Sequence, residues 1–190
     1  MRQLKSVTPE TVSASAELFR KLAENGVRHT TGSAAAINAH AELYDAILNP
    51  FGAKDNTQVE LTDVAEGSEH YEAVRFVFEN GLMAPKAEDA FGVDEEANVG
   101  DLTYALCILA GLPVSSGEEA AATLAQYGIV PADVDASTAL SMRLNDTIFV
   151  AFGQAVGLSL TADEPNETYD NPMTRGELAE QIKLFTDLLQ

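Results

Sequence analysis

Three histidines, one cysteine and 30 acidic residues are the groups in this sequence that could act on a substrate or hold a metal. Their spacing argues against both. His29, His40 and His70 lie far apart, and no His-Glu-x-x-His occurs. His40 sits beside the apolar run Ile37, Ala41, Tyr44 and reads as a partly buried structural histidine. Cys107, within Leu106-Cys107-Ile108-Leu109, reads as a small buried hydrophobe. A single cysteine excludes an intramolecular disulfide framework and a cysteine-based zinc site. Asp94-Glu95-Glu96 and Asp133/Asp135 lack the alternating oxygens and central glycine of an EF-hand, and read as solvated loops. No Gly-x-Ser-x-Gly or P-loop is present. The Asn-x-Thr sites at Asn145 and Asn166 matter only in a glycosylating host. The expectation is a protein without catalysis, cofactor or metal.

The net charge is −19 over 190 residues. That field repels nucleic acid phosphates and anionic membranes, so neither is an expected partner. No apolar run approaches the roughly 18 residues of a membrane span. Hydrophobic residues make up 46% of the chain, enough for a folded core in one large domain or two small ones. Met1 to Ser6 leads into no apolar secretory segment. That start fits a cytoplasmic protein, and equally a numbering that begins inside a processed chain.

The elements that would position any site are helices. A phrase recurs at intervals of about fifty residues, as in a repeat architecture. It reads Glu24-Asn25-Gly26-Val27, Glu79-Asn80-Gly81-Leu82 and Gln126-Tyr127-Gly128-Ile129. Each follows an apolar helical pattern, so each glycine falls at the left-handed C′ position. The Schellman turn wants apolar residues at C″ and C3, and Val27, Leu82, Ile129 pair with Leu22, Val77, Leu124. A second helix is expected after each phrase. The stripes are Ile37, Ala41, Tyr44, Ile47, Leu48; then Leu102, Ala105, Leu106, Leu109; then Leu144, Ile148, Phe152, Val156; a last stripe is Leu178, Ile182, Phe185, Leu189.

Start signals agree. Thr8-Pro9 reads as N-cap and N1 proline. Ser116-Gly117-Glu118-Glu119 and Thr174-Arg175-Gly176-Glu177 have the capping-box form, and Asn98 with Asp101 makes a weaker one. Only Thr57 to Leu61 alternates like a strand. Asp163 to Glu167 reads as an exposed connector. The expected fold is mainly α, in helix–loop–helix units at 1–60, 61–113 and 114–160, with a half unit at 161–190.

Particular residues carry a resemblance. Leu61-Thr62-Asp63-Val64, Tyr71-Glu72-Ala73-Val74, Glu79-Asn80-Gly81-Leu82-Met83 and Phe91 together resemble one S-layer homology (SLH) repeat. Asn171-Pro172-Met173-Thr174-Arg175-Gly176-Glu177-Leu178 is similar to the family's Ile-Thr-Arg-Ala-Glu helix start. The resemblance covers 61–113 and 171–190 best, 114–160 less and 1–60 least. Leu61 stands where the family prefers an aromatic, Val93 replaces a loop proline, and Tyr71 is the nearest substitute for an absent tryptophan. Val99 takes the arginine position before Gly100 and Asp101; Arg143 is offset in the next unit, where the first has only Thr31 and Ser33 as caps.

The resemblance implies three repeats about a pseudo-threefold axis, on an exported cell-surface protein held non-covalently to wall polysaccharide, often one bearing an acidic ketal. It implies ligand-binding roles for Thr174, Arg175, Glu177, Asn98, Asp101 and Tyr71. Arg175 would fork a carboxylate at a helix N-terminus, Thr174 would cap and touch a sugar hydroxyl, and Glu177 would hold the cap. Capping alone also explains Thr174 and Glu177, and Arg175 could pair with Asp170. The alternative is a degenerate SLH scaffold that self-associates or binds other surface proteins in an extracellular layer or filament.

Overall fold

The computed structural model describes residues 59–110, 114–155 and 164–189, with Leu112, Leu160 and Ala162 between them. Expectations for the unit at 1–60, including Thr8-Pro9, Gly26, His29 and His40, lie outside the described residues, apart from Val59 and Glu60. The protein is mainly α. Among the described residues the helices are α1 (Tyr71–Glu79), α2 (Val99–Leu109), α3 (Gly117–Gln126), α4 (Met142–Ala155) and α5 (Arg175–Leu189). Among the described residues there is no strand, only isolated bridges, and Val59 to Leu61 is unpaired. Segment 61–113 holds α1 and α2, 114–160 holds α3 and α4, and 161–190 holds α5.

The helix stops follow the glycine phrase. Gly81 has φ 57°, and Gly128 has φ 68°. After α1, Leu82 N–H donates to Val77 O at 2.7 Å and Gly81 N–H to Phe78 O at 3.0 Å. After α3, Ile129 N–H donates to Leu124 O at 3.1 Å and Gly128 N–H to Ala125 O at 3.0 Å. Both are Schellman turns with all four apolar flanks buried.

The helix starts divide. Asn98 and Asp101 exchange both bonds of a capping box, as do Thr174 and Glu177. At α3 the expected box is half formed. Ser116 Oγ accepts from Glu119 N–H at 3.1 Å, but the Glu119 carboxylate turns to the Ser115 amide and hydroxyl. Ser115 offers two donors, its amide and its hydroxyl, and the Ser116 amide offers one. At α4, Ser141 Oγ caps Leu144 N–H at 3.2 Å, and leucine cannot reciprocate.

The residue before each of three N-caps joins a closed ring. Ala97 N–H donates to Met173 O at 2.9 Å, Met173 N–H to Leu140 O at 2.8 Å, and Leu140 N–H to Ala97 O at 2.9 Å. Bridges flank it at Glu96/Thr174, Asn98/Ala139 and Ser141/Pro172. The free amides of each helix start then bond the loop beside them. Val99 and Gly100 N–H reach Thr138 O and Ala136 O, Arg143 N–H reaches Tyr169 O, and Arg175 and Gly176 N–H reach Glu95 O and Val93 O. Orphan helix donors are thus met by a neighbouring segment distant in sequence.

Around this ring α1 packs on α5 and α3 on α2. Leu102, Ala105 and Leu106, Ile148 and Phe152, and Leu178, Ile182 and Phe185 are buried as their stripes predict; Leu109 and Leu144 are only partly so. The α4 stripe is wider than expected, since Asn145, Asp146 and Phe149 are buried with it. Phe185 takes up that width, with its ring centroid 5.2 Å from Phe149 and 5.9 Å from Phe152.

The α2–α3 approach is backbone on backbone. A Cβ on Gly117 would lie 2.8 Å from Gly100 Cα, whereas one on Gly128 would meet nothing within 4 Å. Gly117→Ala is therefore expected to cost about 1–3 kcal/mol by overpacking, and Gly128→Ala about 1–2 kcal/mol through its positive φ. Urea midpoints check both. A Gly117→Ala protein as stable as the parent would mean that the helices do not touch there.

Candidate functional site

Arg175 is the first residue of α5, and the ring sets that start against the 91–95 loop. Its side chain is consequently only 1% exposed. Nη1 donates to Asp101 Oδ1 at 2.6 Å, Nη2 to Ala84 O at 2.5 Å and Nε to Phe91 O at 3.1 Å. The guanidinium carbon lies 4.8 Å from the Phe91 ring centroid. All three nitrogens face the protein, so the outward carboxylate fork implied for Arg175 lacks its donors. Asp170 is not its partner either. Asp170 pairs with Arg143, at 2.5 Å to Nε and 3.1 Å to Nη2, on an exposed surface where Arg143 also covers the Tyr169 ring.

Asp63 organises the same loop. Its Oδ1 accepts from Phe91 N–H at 2.8 Å, and its Oδ2 from Gly92 N–H at 2.6 Å and Val93 N–H at 3.1 Å. Gly92 has φ 78°, which curls the three amides around one carboxylate. Burial pushes the Asp63 carboxyl up, but the amide bonds outweigh it and hold the group below its ordinary value. Residue spacing gave no sign of this role. The partners lie nearly thirty residues on, and only the family pattern marks the position.

The other expected ligand residues are occupied or set apart. Asp101 Oδ2 accepts from Asn98 N–H at 3.2 Å while its Oδ1 holds Arg175. Asn98 Oδ1 accepts from Asp101 N–H at 2.9 Å. Thr174 Oγ1 accepts from Glu177 N–H at 3.2 Å, and Glu177 accepts from Thr174 N–H at 2.7 Å. The amides at the starts of α2 and α5 are therefore already bonded, which leaves no open anion cradle at either. Tyr71 begins α1 and packs, partly buried, against the core.

Two open grooves among the described residues include some of these expected ligand residues. One of about 560 Å³ includes Asn98, Asp101, Tyr104, Ser116 and Ser137. The other, about 690 Å³, lies along α5 and the 166–173 loop, and its lining includes Asn166, Thr168, Asn171, Glu177, Gln181 and Leu184. Tyr71 lines neither. No family model, curated protein or solved structure matches this chain. The grooves must be read from their own chemistry. Both offer hydroxyls, amides and carboxylates, a lining suited to hydrogen-bonding a polar, hydroxyl-rich ligand.

The remaining reactive groups are accounted for locally. Among the described residues no three His, Cys, Asp or Glu side chains cluster to hold a metal, and no helix is long and apolar enough to cross a membrane. Burial, with the Glu119 charge adding to it, pushes the Cys107 thiol up to about 12, so it stays protonated. His70 Nδ1 contacts Glu180 Oε1 at 2.9 Å, and its ring covers Gly176, where a Cβ would fall 2.5 Å from the imidazole.

Arg175→Met is expected to destabilise the fold by about 3–5 kcal/mol, because it strands Asp101 beside two carbonyls. Adding Asp101→Asn should recover part of that, as a double-mutant cycle of urea melts would read; independent losses would refute the pair. Asp63 makes an acid prediction. Its folded value lies below the unfolded value of about 3.9, so its contribution is full above that pH and fades as pH falls through the folded value. Asp63→Asn should lower stability at pH 6 and flatten the stability profile between about pH 4 and pH 2.

Proposed function

We propose that this chain is an S-layer homology module of a cell-surface protein, built from degenerate repeats about a pseudo-threefold axis, and that it attaches non-covalently to wall polysaccharide. The supporting observation is the closed ring Ala97–Met173–Leu140, in which three capped helix starts dock head to tail. The Thr174–Glu177 box and the Asp63 clasp on the Phe91 loop support it at the positions where the resemblance is best. No catalysis is part of the reading. Contact with glycan is assigned to the grooves beside the ring rather than to Arg175, whose donors are committed to Asp101 and two carbonyls.

One observation favours a second reading. Where the family motif carries arginine, α2 has Val99 and α4 starts with Met142, and the surviving Arg175 serves the fold. A scaffold that kept its capping and lost its ligand arginines fits a self-assembling or protein-binding subunit of an extracellular layer.

Co-sedimentation with bacterial wall sacculi separates the two. Intact sacculi should deplete the protein from solution, and sacculi stripped of accessory polysaccharide should not. An absence of depletion by intact sacculi, together with concentration-dependent oligomers in analytical ultracentrifugation, would overturn attachment in favour of the scaffold.

A further inference from the structure

We propose that the groove between α5 and the 166–173 loop receives an uncharged stretch of glycan rather than an acidic substituent. This rests on the attachment reading above and names the chemical class that the site selects. The charges come first. Glu177 and Glu180 both line the groove, and no lysine or arginine does. Charges this close to a ligand lie inside the screening length of about 8 Å, so salt does not hide them. A ligand carboxylate would enter against two like charges with no cation to receive it.

The neutral groups are arranged for hydroxyls. Asn166 Oδ1 is taken by the Thr168 amide and hydroxyl, both at 2.9 Å, which leaves the Asn166 NH2 as a donor. Asn171 is exposed on the same loop. Gln181 adds a side-chain amide to the same lining. Leu184, 37% exposed and the large hydrophobic residue most open to solvent among those described, forms an apolar floor suited to the C–H face of a sugar ring.

The test uses the whole chain and three preparations of sacculi: intact, treated with mild acid to hydrolyse ketal-linked acids, and fully stripped of accessory polysaccharide. Intact and ketal-free sacculi should bind within about twofold of each other, and the stripped ones should not bind. Leu184→Asp and Asn171→Ala, both exposed changes, should each weaken binding to ketal-free sacculi by about tenfold or more, with unchanged thermal midpoints. Tenfold weaker binding after ketal removal, or wild-type binding by both variants, overturns the groove assignment while attachment itself stands. Failure of all three preparations to bind overturns attachment, and this assignment with it.

Discussion

The backbone cycle through Ala97, Leu140 and Met173 constrains everything else in the molecule. Each residue gives one hydrogen bond and takes one, and all three are buried. Moving any one segment away would leave a donor and an acceptor stranded in the other two. An unsatisfied buried polar group costs roughly 1–3 kcal/mol, so opening the cycle at one place is penalised at two. The bridges on either side and the helix-start amides extend the same docking outward. Segments that share few local contacts are thereby bound into one cooperative unit.

The cycle also decides what Arg175 does. An arginine at the first turn of a capped helix looks free to meet an anion in solution. Here that turn faces the loop held by Asp63, so the guanidinium points into the protein and finds Asp101, Phe91 and Ala84. Val99 and Met142, the first residues of α2 and α4, make no such demand on their neighbours. This asymmetry gives Asp101 two tasks, one oxygen for its own helix cap and one for α5. Glu177, at the matching place in α5, caps and stays exposed. One buried ion pair thus ties the last helix to the second, while the pairs at other joints, Arg143 with Asp170 and His70 with Glu180, are more exposed.

Features set by a few adjacent residues were readable in advance. The glycine stops at Gly81 and Gly128, the boxes at Asn98 and Thr174, and the buried faces of α2 and α5 all follow from local spacing. What failed depended on distant partners or on near-equal local choices. Glu119 chose Ser115 over Ser116. Arg143 took Asp170, and Asp101 took Arg175, because docking placed them so. Asn145 and Asp146 lie outside the expected Leu144–Ile148–Phe152 stripe and are buried, Asp146 with the Tyr169 hydroxyl on it at 3.0 Å. The Gly100–Gly117 contact has no local signature at all, as nothing in either helix start announces the other.

Charge placement bears on recognition through the same logic. Among the described residues Arg75 pairs with Glu79, Arg143 with Asp170, Arg175 with Asp101 and Lys183 with Asp187. Each pair neutralises a cation that an acidic ligand would need, and the many remaining carboxylates add a repulsive field. To hold an acid at any of these four cations, the protein would have to break an internal pair and leave its own carboxylate behind, at a cost greatest for the buried Arg175. Neutral hydroxyls ask for no such exchange. They can bond to amides and carboxylate oxygens that already face the grooves, so a chain this acidic loses nothing of its own stability by binding them.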